Sequence, residues 1–226
     1  KGVKELSFNV KPGDSVRPYT NGRDRIGQVI LAGESLPWCE RRLKDILNHI
    51  RLQLEGSGQS EIHTGIGFFD HMLTLLAFHA KIDLFVTAQG DLEVCDHHLI
   101  EDTGIVLGEL FQQALGDKRG IARYGSARVP MDETLCSVDL DFSGRSYLVC
   151  NCSLKREMIG SFSCEMLPEF LRAFADHARL TLHVNVLYGE NDHHKVEAVF
   201  KALGRALREA IRIVDDTLPS TKGVLE

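Results

Sequence analysis

The alternation of hydrophobic and polar residues predicts where the regular structure of this chain begins. Between residues 46 and 54, apolar positions alternate with polar ones, which is the pattern of a β-strand with one buried face. The Gly-Ser-Gly run at residues 56–58 predicts a turn, and residues 61–63 predict a second strand. A helix is predicted to follow over residues 68–79.

The second half of the chain repeats this order of elements. A strand and a helix that starts near His97 complete the first half. In the second half, residues 138–149 predict the same hairpin and residues 167–177 the same helix, before a strand and a helix that starts near His193. Two successive ββαβα units predict an α+β fold with internally duplicated halves, each a mixed sheet with helices packed on one face.

The chain is predicted to have three parts because its composition changes near residue 40. Residues 1–40 contain several glycines and prolines and no pattern to which chemistry can be assigned, so we expect an N-terminal extension of unknown role. An ordered extension, a linker from a larger chain and a partly disordered segment all fit this composition. The first repeat half is expected at residues 41–128 and the second at residues 129–226.

Bulk composition excludes several classes of protein. The 226 residues are 43% hydrophobic and 26% charged, as in an ordinary soluble globular protein. A net charge of −6 argues against a nucleic-acid partner, and no apolar run approaches the ~18 residues of a membrane span. The six cysteines show no CxxC spacing, so neither a zinc ribbon nor a disulfide framework is indicated. We expect a cytoplasmic protein, or a plastid one if it comes from a plant.

One short motif occurs twice, 96 residues apart: Asp-His-His-Leu-Ile-Glu at residues 96–101 and Asp-His-His-Lys-Val-Glu at residues 192–197. If each copy opens a helix, its two histidines and its glutamate share one face at one helix end. Two imidazoles and a carboxylate suit manganese, iron, cobalt or zinc. Two solvated helix starts that happen to contain histidines would explain one such copy more easily than two.

The repeat continues upstream at an offset of 98 residues. Residues 79–86 match residues 177–184, and His71 falls opposite Glu169. Considered alone, His71 is typical of a partly buried helix histidine and Glu169 of a solvated surface charge. Their equivalent positions in the repeat favour a ligand role for both. The eight candidate metal ligands are His71, His97, His98, Glu101, Glu169, His193, His194 and Glu197. Two halves with four ligands each predict two metal ions.

Basic residues outside this motif indicate an anionic substrate. Arg123 lies in a basic, glycine-containing stretch at residues 118–125, and Lys201 follows the second motif by four residues where the first half has Ile105. Solvated loop cations and a simple Glu-Lys helix pair are the alternatives. The candidate substrate-binding residues are Arg123, Arg145, Lys201, Ser220, Thr221 and Lys222. Together they favour a small phosphorylated molecule.

Several longer stretches resemble the imidazoleglycerol-phosphate dehydratase family of histidine biosynthesis. Besides the two DHHxxE copies, these are residues 64–72, 90–92, 116–121, 130–133 and 219–225. The resemblance covers roughly residues 45–226. It implies a lyase that dehydrates D-erythro-imidazole glycerol phosphate to imidazole acetol phosphate. It also implies trimers that assemble into a 24-subunit shell, with active sites built between subunits.

The resemblance further implies two manganese ions per active site, held by the eight ligands named above, and phosphate contacts from Arg123, Arg145, Lys201, Ser220 and Lys222. Two positions depart from the family pattern. Several members have histidine where Glu169 stands, and the acidic residue near the start of the family, usually glutamate, falls on Asp45. Since a carboxylate also binds manganese, the first departure alters metal preference more than function. Asp45 is one methylene shorter than glutamate.

For the mechanism, our hypothesis is that the two metals hold the substrate ring as an imidazolate, which expels the neighbouring hydroxyl through a diazafulvene-like intermediate. Asp45, Glu101 and Glu197 are the candidate catalytic groups for proton transfer. A dinuclear-metal phosphohydrolase is the alternative that residues alone leave nearly level, and a non-catalytic metal-binding or shell-forming protein is a third. The family resemblance favours the lyase.

Overall fold

The structure, a computed structural model, describes residues 50–223 of the chain. The extension at residues 1–40 and the candidate catalytic residue Asp45 lie outside the described residues. The described strands and helices, in chain order, are β1 (Arg51–Gln53), β2 (Ser60–His63), α1 (Gly67–Ala80), β3 (Asp83–Thr87), α2 (His97–Leu115), β4 (Tyr124–Met131), β5 (Thr134–Asp141), β6 (Tyr147–Asn151), β7 (Met158–Ile159), β8 (Phe162–Ser163), α3 (Met166–Ala178), β9 (Thr181–Tyr188) and α4 (Asp192–Ala210).

The two larger sheets have the same local topology, which confirms the predicted α+β duplication. In the first, β3 lies between β1 and β2, antiparallel to β1 and parallel to β2. In the second, β9 lies between β5 and β6 with the same two orientations. Both sheets are therefore mixed, as the sequence predicted.

The predicted hairpins are wrong, and one strand was missed. β5 and β6 do not pair with each other, because β9 lies between them and bonds to both. The turn at Gly144 (φ +85°) resembles a hairpin turn locally. However, β9, which follows later in the chain, pairs with both strands. The missed strand, β4, pairs antiparallel with β5 and occupies the edge of the second sheet. Part of it lay in the stretch interpreted as a basic loop.

The four helices of residues 50–223 form a layer between the two larger sheets, with α2 packed on α3 and α1 on α4. Each contact needs a glycine: a Cβ at Gly108 would lie 2.7 Å from the Phe174 carbonyl oxygen, and one at Gly204 2.8 Å from the Leu76 carbonyl oxygen. These two pairs are equivalent in the sequence repeat. The internal duplication therefore extends to the packing of individual backbone atoms.

Aromatic side chains fill the centre of this helix layer. Phe170 of α3 is fully buried and packs against Phe69 of α1, with ring centroids 5.3 Å apart. Phe111 of α2 packs edge-on against Phe174 of α3 at the same separation. Each such pair adds about 0.5–1.5 kcal/mol to the gain from burial. The helices that carry the histidine motifs are thus anchored in one core, and none of the helices described could cross a membrane.

Candidate functional site

Three of the predicted ligands converge between α1 and α4. His193 Nε2 lies 3.1 Å from Glu197 Oε2, and His71 Nε2 lies 4.0 Å from the same oxygen. One ligand atom from each residue lies within 4.8 Å of the other two, and within residues 50–223 this is the group of three that could share a metal ion. Two imidazoles and a carboxylate in this arrangement suit a transition metal.

Local structure fixes the start of both helices at this cluster. The Asn191 side chain caps α4 by accepting the backbone N–H of His193 at 2.9 Å. In front of α1, the Asp70 carboxylate accepts both the backbone N–H and the hydroxyl of Thr64, which holds the preceding turn. His193 in the first turn of α4 and His71 in the second turn of α1 therefore project from well-defined helix starts.

Lys201 lies one turn further along α4 and pairs with the cluster carboxylate. Its Nζ is 2.6 Å from Glu197 Oε1 and also donates to the Met131 sulfur at 3.3 Å. Burial raises the pKa of Glu197, but the hydrogen bond and charge of Lys201 outweigh it, so the pKa lies below its ordinary value. Glu197 is therefore held as a carboxylate, the form that binds a metal.

The residues equivalent to this cluster, which are His97 and Glu101 of the first half and Glu169 of the second, are arranged differently. His97 Nε2 and Glu101 Oε2 face each other on α2 at 3.9 Å. Glu169 on α3, however, bonds to the Arg172 guanidinium at 2.6 Å, one turn away on its own helix. In the described part of the chain, Glu169 therefore does not complete a three-donor cluster with His97 and Glu101 as His71 does in its counterpart.

The second histidine of each motif bonds to a carboxylate outside its own helix. His98 Nδ1 bonds to Asp91 Oδ2 at 2.9 Å, and His194 Nδ1 bonds to Glu133 Oε2 at 2.7 Å. A carboxylate on one ring nitrogen fixes the ring and leaves the other nitrogen to bind a metal. The hydrogen bond to Glu133 raises the pKa of His194, while the backbone N–H of Asn191 and then His194 lower the pKa of Glu133.

The predicted phosphate contacts, Lys201 apart, gather at the opposite end of the second sheet. Arg123 makes two bonds to Asp141, at 2.6 and 3.0 Å, and a third to the Pro219 carbonyl at 2.8 Å, which fixes the C-terminal segment containing Ser220, Thr221 and Lys222. Arg145 is exposed in the turn between β5 and β6, at the same end of the second sheet as Arg123.

These basic residues lie far from the histidine cluster of their own chain. The backbone N–H of Arg123 bonds to the carbonyl of Ala210, the last residue of α4, whereas His193 is in its first turn. Seventeen residues of helix at 1.5 Å each separate the two positions by about 25 Å. One chain therefore carries a histidine-rich end and a basic end that do not meet.

Sequence reasoning missed the carboxylates that orient the histidines. Asp91 and Glu133 were quoted only as parts of longer motifs, at residues 90–92 and 130–133. Glu133 precedes His194 by 61 residues, so no helical or strand spacing connects them. Their occurrence within the motifs that carry the resemblance was the available signal.

Comparison with known protein families agrees with this site. The family model described as imidazoleglycerol-phosphate dehydratase matches residues 64–207, which include the histidine cluster. Residues 1–55 match a second family model, described as L-amino acid ligase C-terminal domain 2. That match falls almost wholly on residues outside the described part of the chain.

Curated proteins and solved structures give the same result. Imidazoleglycerol-phosphate dehydratases of Clostridium botulinum (strain Alaska E43) and Clostridioides difficile (strain 630) are 52% and 55% identical, over 82% and 78% of this chain and 96% and 92% of theirs. The Staphylococcus aureus crystal structure of that name has a TM-score of 0.69 at 46% identity, covering 74% of this chain and 95% of its own. The Pyrococcus furiosus structure, in complex with (S)-C348, has a TM-score of 0.66 at 37% identity, covering 79% and 96%. This chain belongs to the imidazoleglycerol-phosphate dehydratase family.

Proposed function

We propose that this protein removes water from D-erythro-imidazole glycerol phosphate to form imidazole acetol phosphate, in the histidine biosynthesis of the cytoplasm. The observation that carries the proposal is the cluster of His71, His193 and Glu197, found in a chain whose relatives are named as this dehydratase. Those names also favour a lyase over the phosphohydrolase alternative, which would use similar donors.

The donors present fit two manganese ions per active site. Imidazole nitrogens and carboxylate oxygens both bind this metal, and the rings of His98 and His194 are already oriented by carboxylates. The residues proposed to hold the ions are His71, His97, His98, Glu101, Glu169, His193, His194 and Glu197. When bound to the substrate's imidazole, the ions would lower the pKa of its ring N–H.

The chain's own residues have separable tasks in this reaction. Lys201 holds Glu197 ionised, which favours a ligand role for Glu197 over proton transfer. Glu101 is more exposed than Glu197, so we propose Glu101 as a carboxylate that moves a proton beside the ring. Asp45 is proposed to assist it, at a position that lies outside the described residues.

The remaining contacts are proposed to bind the substrate's phosphate: Arg123, Arg145, Lys201, Ser220, Thr221 and Lys222. A three-carbon chain joins ring to phosphate, far too short to reach from the His193 end of α4 to the Arg123 end, about 25 Å away. We therefore propose that the active site forms between chains, in trimers that build a 24-subunit shell. Exposed apolar residues such as Tyr124, Tyr147 and Tyr188 provide surface for such contacts.

The proposed organisation keeps residues 41–128 and 129–226 as the repeat halves, behind an extension at residues 1–40. β4 runs across the boundary between the halves and belongs to the second sheet. Glu169, at a position where several family members have histidine, is proposed to alter which metal the site prefers. Arg172, which already engages that carboxylate, would compete with a metal ion for it.

The experiment that tests the function supplies imidazole glycerol phosphate to the purified, manganese-loaded protein. A product lighter by one water with its phosphate retained supports dehydration, whereas inorganic phosphate in the medium supports the hydrolase. A chelator should abolish turnover and manganese should restore it. Metal uptake with no turnover would instead indicate a non-catalytic metal-binding protein.

A further inference from the structure

The aspartate before each histidine pair does not cap the helix that follows it. Asp96 occupies the N-cap position of α2, where an aspartate usually accepts an N–H of its own helix, yet its side chain makes no such bond. Instead, its two oxygens accept the backbone N–H and the hydroxyl of Ser163, at 2.6 and 2.7 Å. Asp96 is buried and has lost most of its hydration. The two bonds to Ser163 compensate for that loss.

Asp192, the equivalent residue in the second half, also accepts no backbone N–H of its own helix and bonds to another stretch of chain. Its Oδ2 accepts the backbone N–H groups of Lys155 and Arg156, both at 2.7 Å. Its Oδ1 pairs at 2.9 Å with the buried ammonium of Lys195, which also donates to the carbonyl of Ser153. The helix cap is supplied by Asn191 instead.

Both aspartates thus bind one stretch of chain, residues 153–163, which we call the connecting segment. It also reaches the histidine cluster through its aromatic residue: Phe162 packs against Phe68, whose ring in turn lies 5.0 Å from the ring of His193. A cavity of about 620 Å³ borders the segment, lined in part by Arg156 and Ser163. The segment has open space on one side, and its bonds to the two aspartates fix its position together with the fully buried Phe162.

We propose that Asp96 and Asp192 are positioning residues, and that the connecting segment aligns the histidine pairs of both halves against each other. The inference rests on the proposed function in that the aligned histidines would bind the metal ions. Loosening the segment at one aspartate should then disturb the histidines of the other half as well. A helix cap confined to one half would not do this.

The test is Ser163→Ala, which deletes one of the two bonds to Asp96 and keeps the backbone bond. In the metal-free protein we expect the imidazole NMR signals of His97, His98 and His193 to shift. In calorimetric titration with Mn²⁺, we expect affinity to fall about tenfold, the effect of losing roughly 1.4 kcal/mol. Ser163→Thr, which keeps the hydroxyl, should restore both.

Ser137→Ala is the control, since it removes one exposed Ser-Asp hydrogen bond (to Asp139) on β5, away from the connecting segment. It should leave both the histidine signals and the Mn²⁺ affinity unchanged. An unshifted His193 signal, or equal loss of Mn²⁺ affinity in the control, would overturn the proposal. Asp96→Asn repeats the test if Ser163→Ala does not fold. If the wild type binds no Mn²⁺, the proposed function fails, but the NMR signals still decide the positioning role.

Discussion

Two variants that are each inactive should restore activity when mixed in one assembly. The reason is the separation of about 25 Å between the histidine end and the basic end of a single chain. His193→Ala removes a ligand from the first end, and the double variant Arg145→Ala, Lys222→Ala removes two exposed cations from the second. If each site joins the histidine end of one chain to the basic end of another, a mixed assembly contains sites with both ends intact.

The expected loss of rate in each variant follows from the contacts removed. The expected recovery in the mixture follows from the fraction of sites with both ends intact. Two charge-assisted hydrogen bonds of about 1.5–3 kcal/mol each make the double variant slower by roughly two to four powers of ten. His193→Ala is expected to be slower still, because it breaks the three-donor cluster. In a random 1:1 mixture, half of the histidine ends and half of the basic ends are intact, so about a quarter of the sites are complete.

The assay co-expresses the two variants with different affinity tags and isolates assemblies that contain both. Dehydratase activity should rise to about a quarter of the wild-type value. Each variant purified alone is the control and should stay near its own low rate. Mixed assemblies no more active than the two parents would show that each site belongs to one chain, and would refute the argument from distance.

Three further variants test other contacts. Lys201→Ala should raise the Kd for the phosphorylated substrate at least tenfold and lower the Mn²⁺ affinity less, since Lys201 also holds Glu197 ionised; equal losses of both would contradict a phosphate role. Gly204→Ala, which puts a methyl 2.8 Å from a carbonyl oxygen, should lower the free energy of unfolding in urea by about 1–3 kcal/mol, whereas Gly67→Ala, which meets nothing within 4 Å, should not. Burial raises the pKa of Asp83, but the N–H groups of residues 57–59 outweigh it, so the folded pKa is lowered. Its stabilisation should be present above about pH 3.9 and fall as the pH drops through the folded pKa, so Asp83→Ala should lower the free energy of unfolding more at pH 7 than in strong acid.

The helices and the first member of each histidine pair were predictable because their signals are local. His193 and Glu197 are four residues apart, which on a helix places them on one face, and the structure confirms it. The repeat likewise identified His71 as a candidate ligand, but it grouped His71 with the first half, whereas the structure places it beside His193 and Glu197 of the second. Such patterns need only the sequence and the helical period.

What the sequence could not predict depends on pairing between distant residues. The order of strands was missed because β9 lies between β5 and β6 in the sheet, although it follows both of them in the sequence. His194 turns toward Glu133, and Arg123 engages Asp141, through contacts that no local period encodes. Glu169 was expected to mirror His71, but the nearby Arg172 competes for its carboxylate.

The most direct measurement of the central claim is a mass spectrum of the products formed from imidazole glycerol phosphate by the protein, with manganese and after chelation. The account predicts imidazole acetol phosphate, lighter by one water and still phosphorylated, from the loaded protein and none from the chelated one. Undiminished product after complete metal removal, or release of inorganic phosphate in place of water, would contradict it.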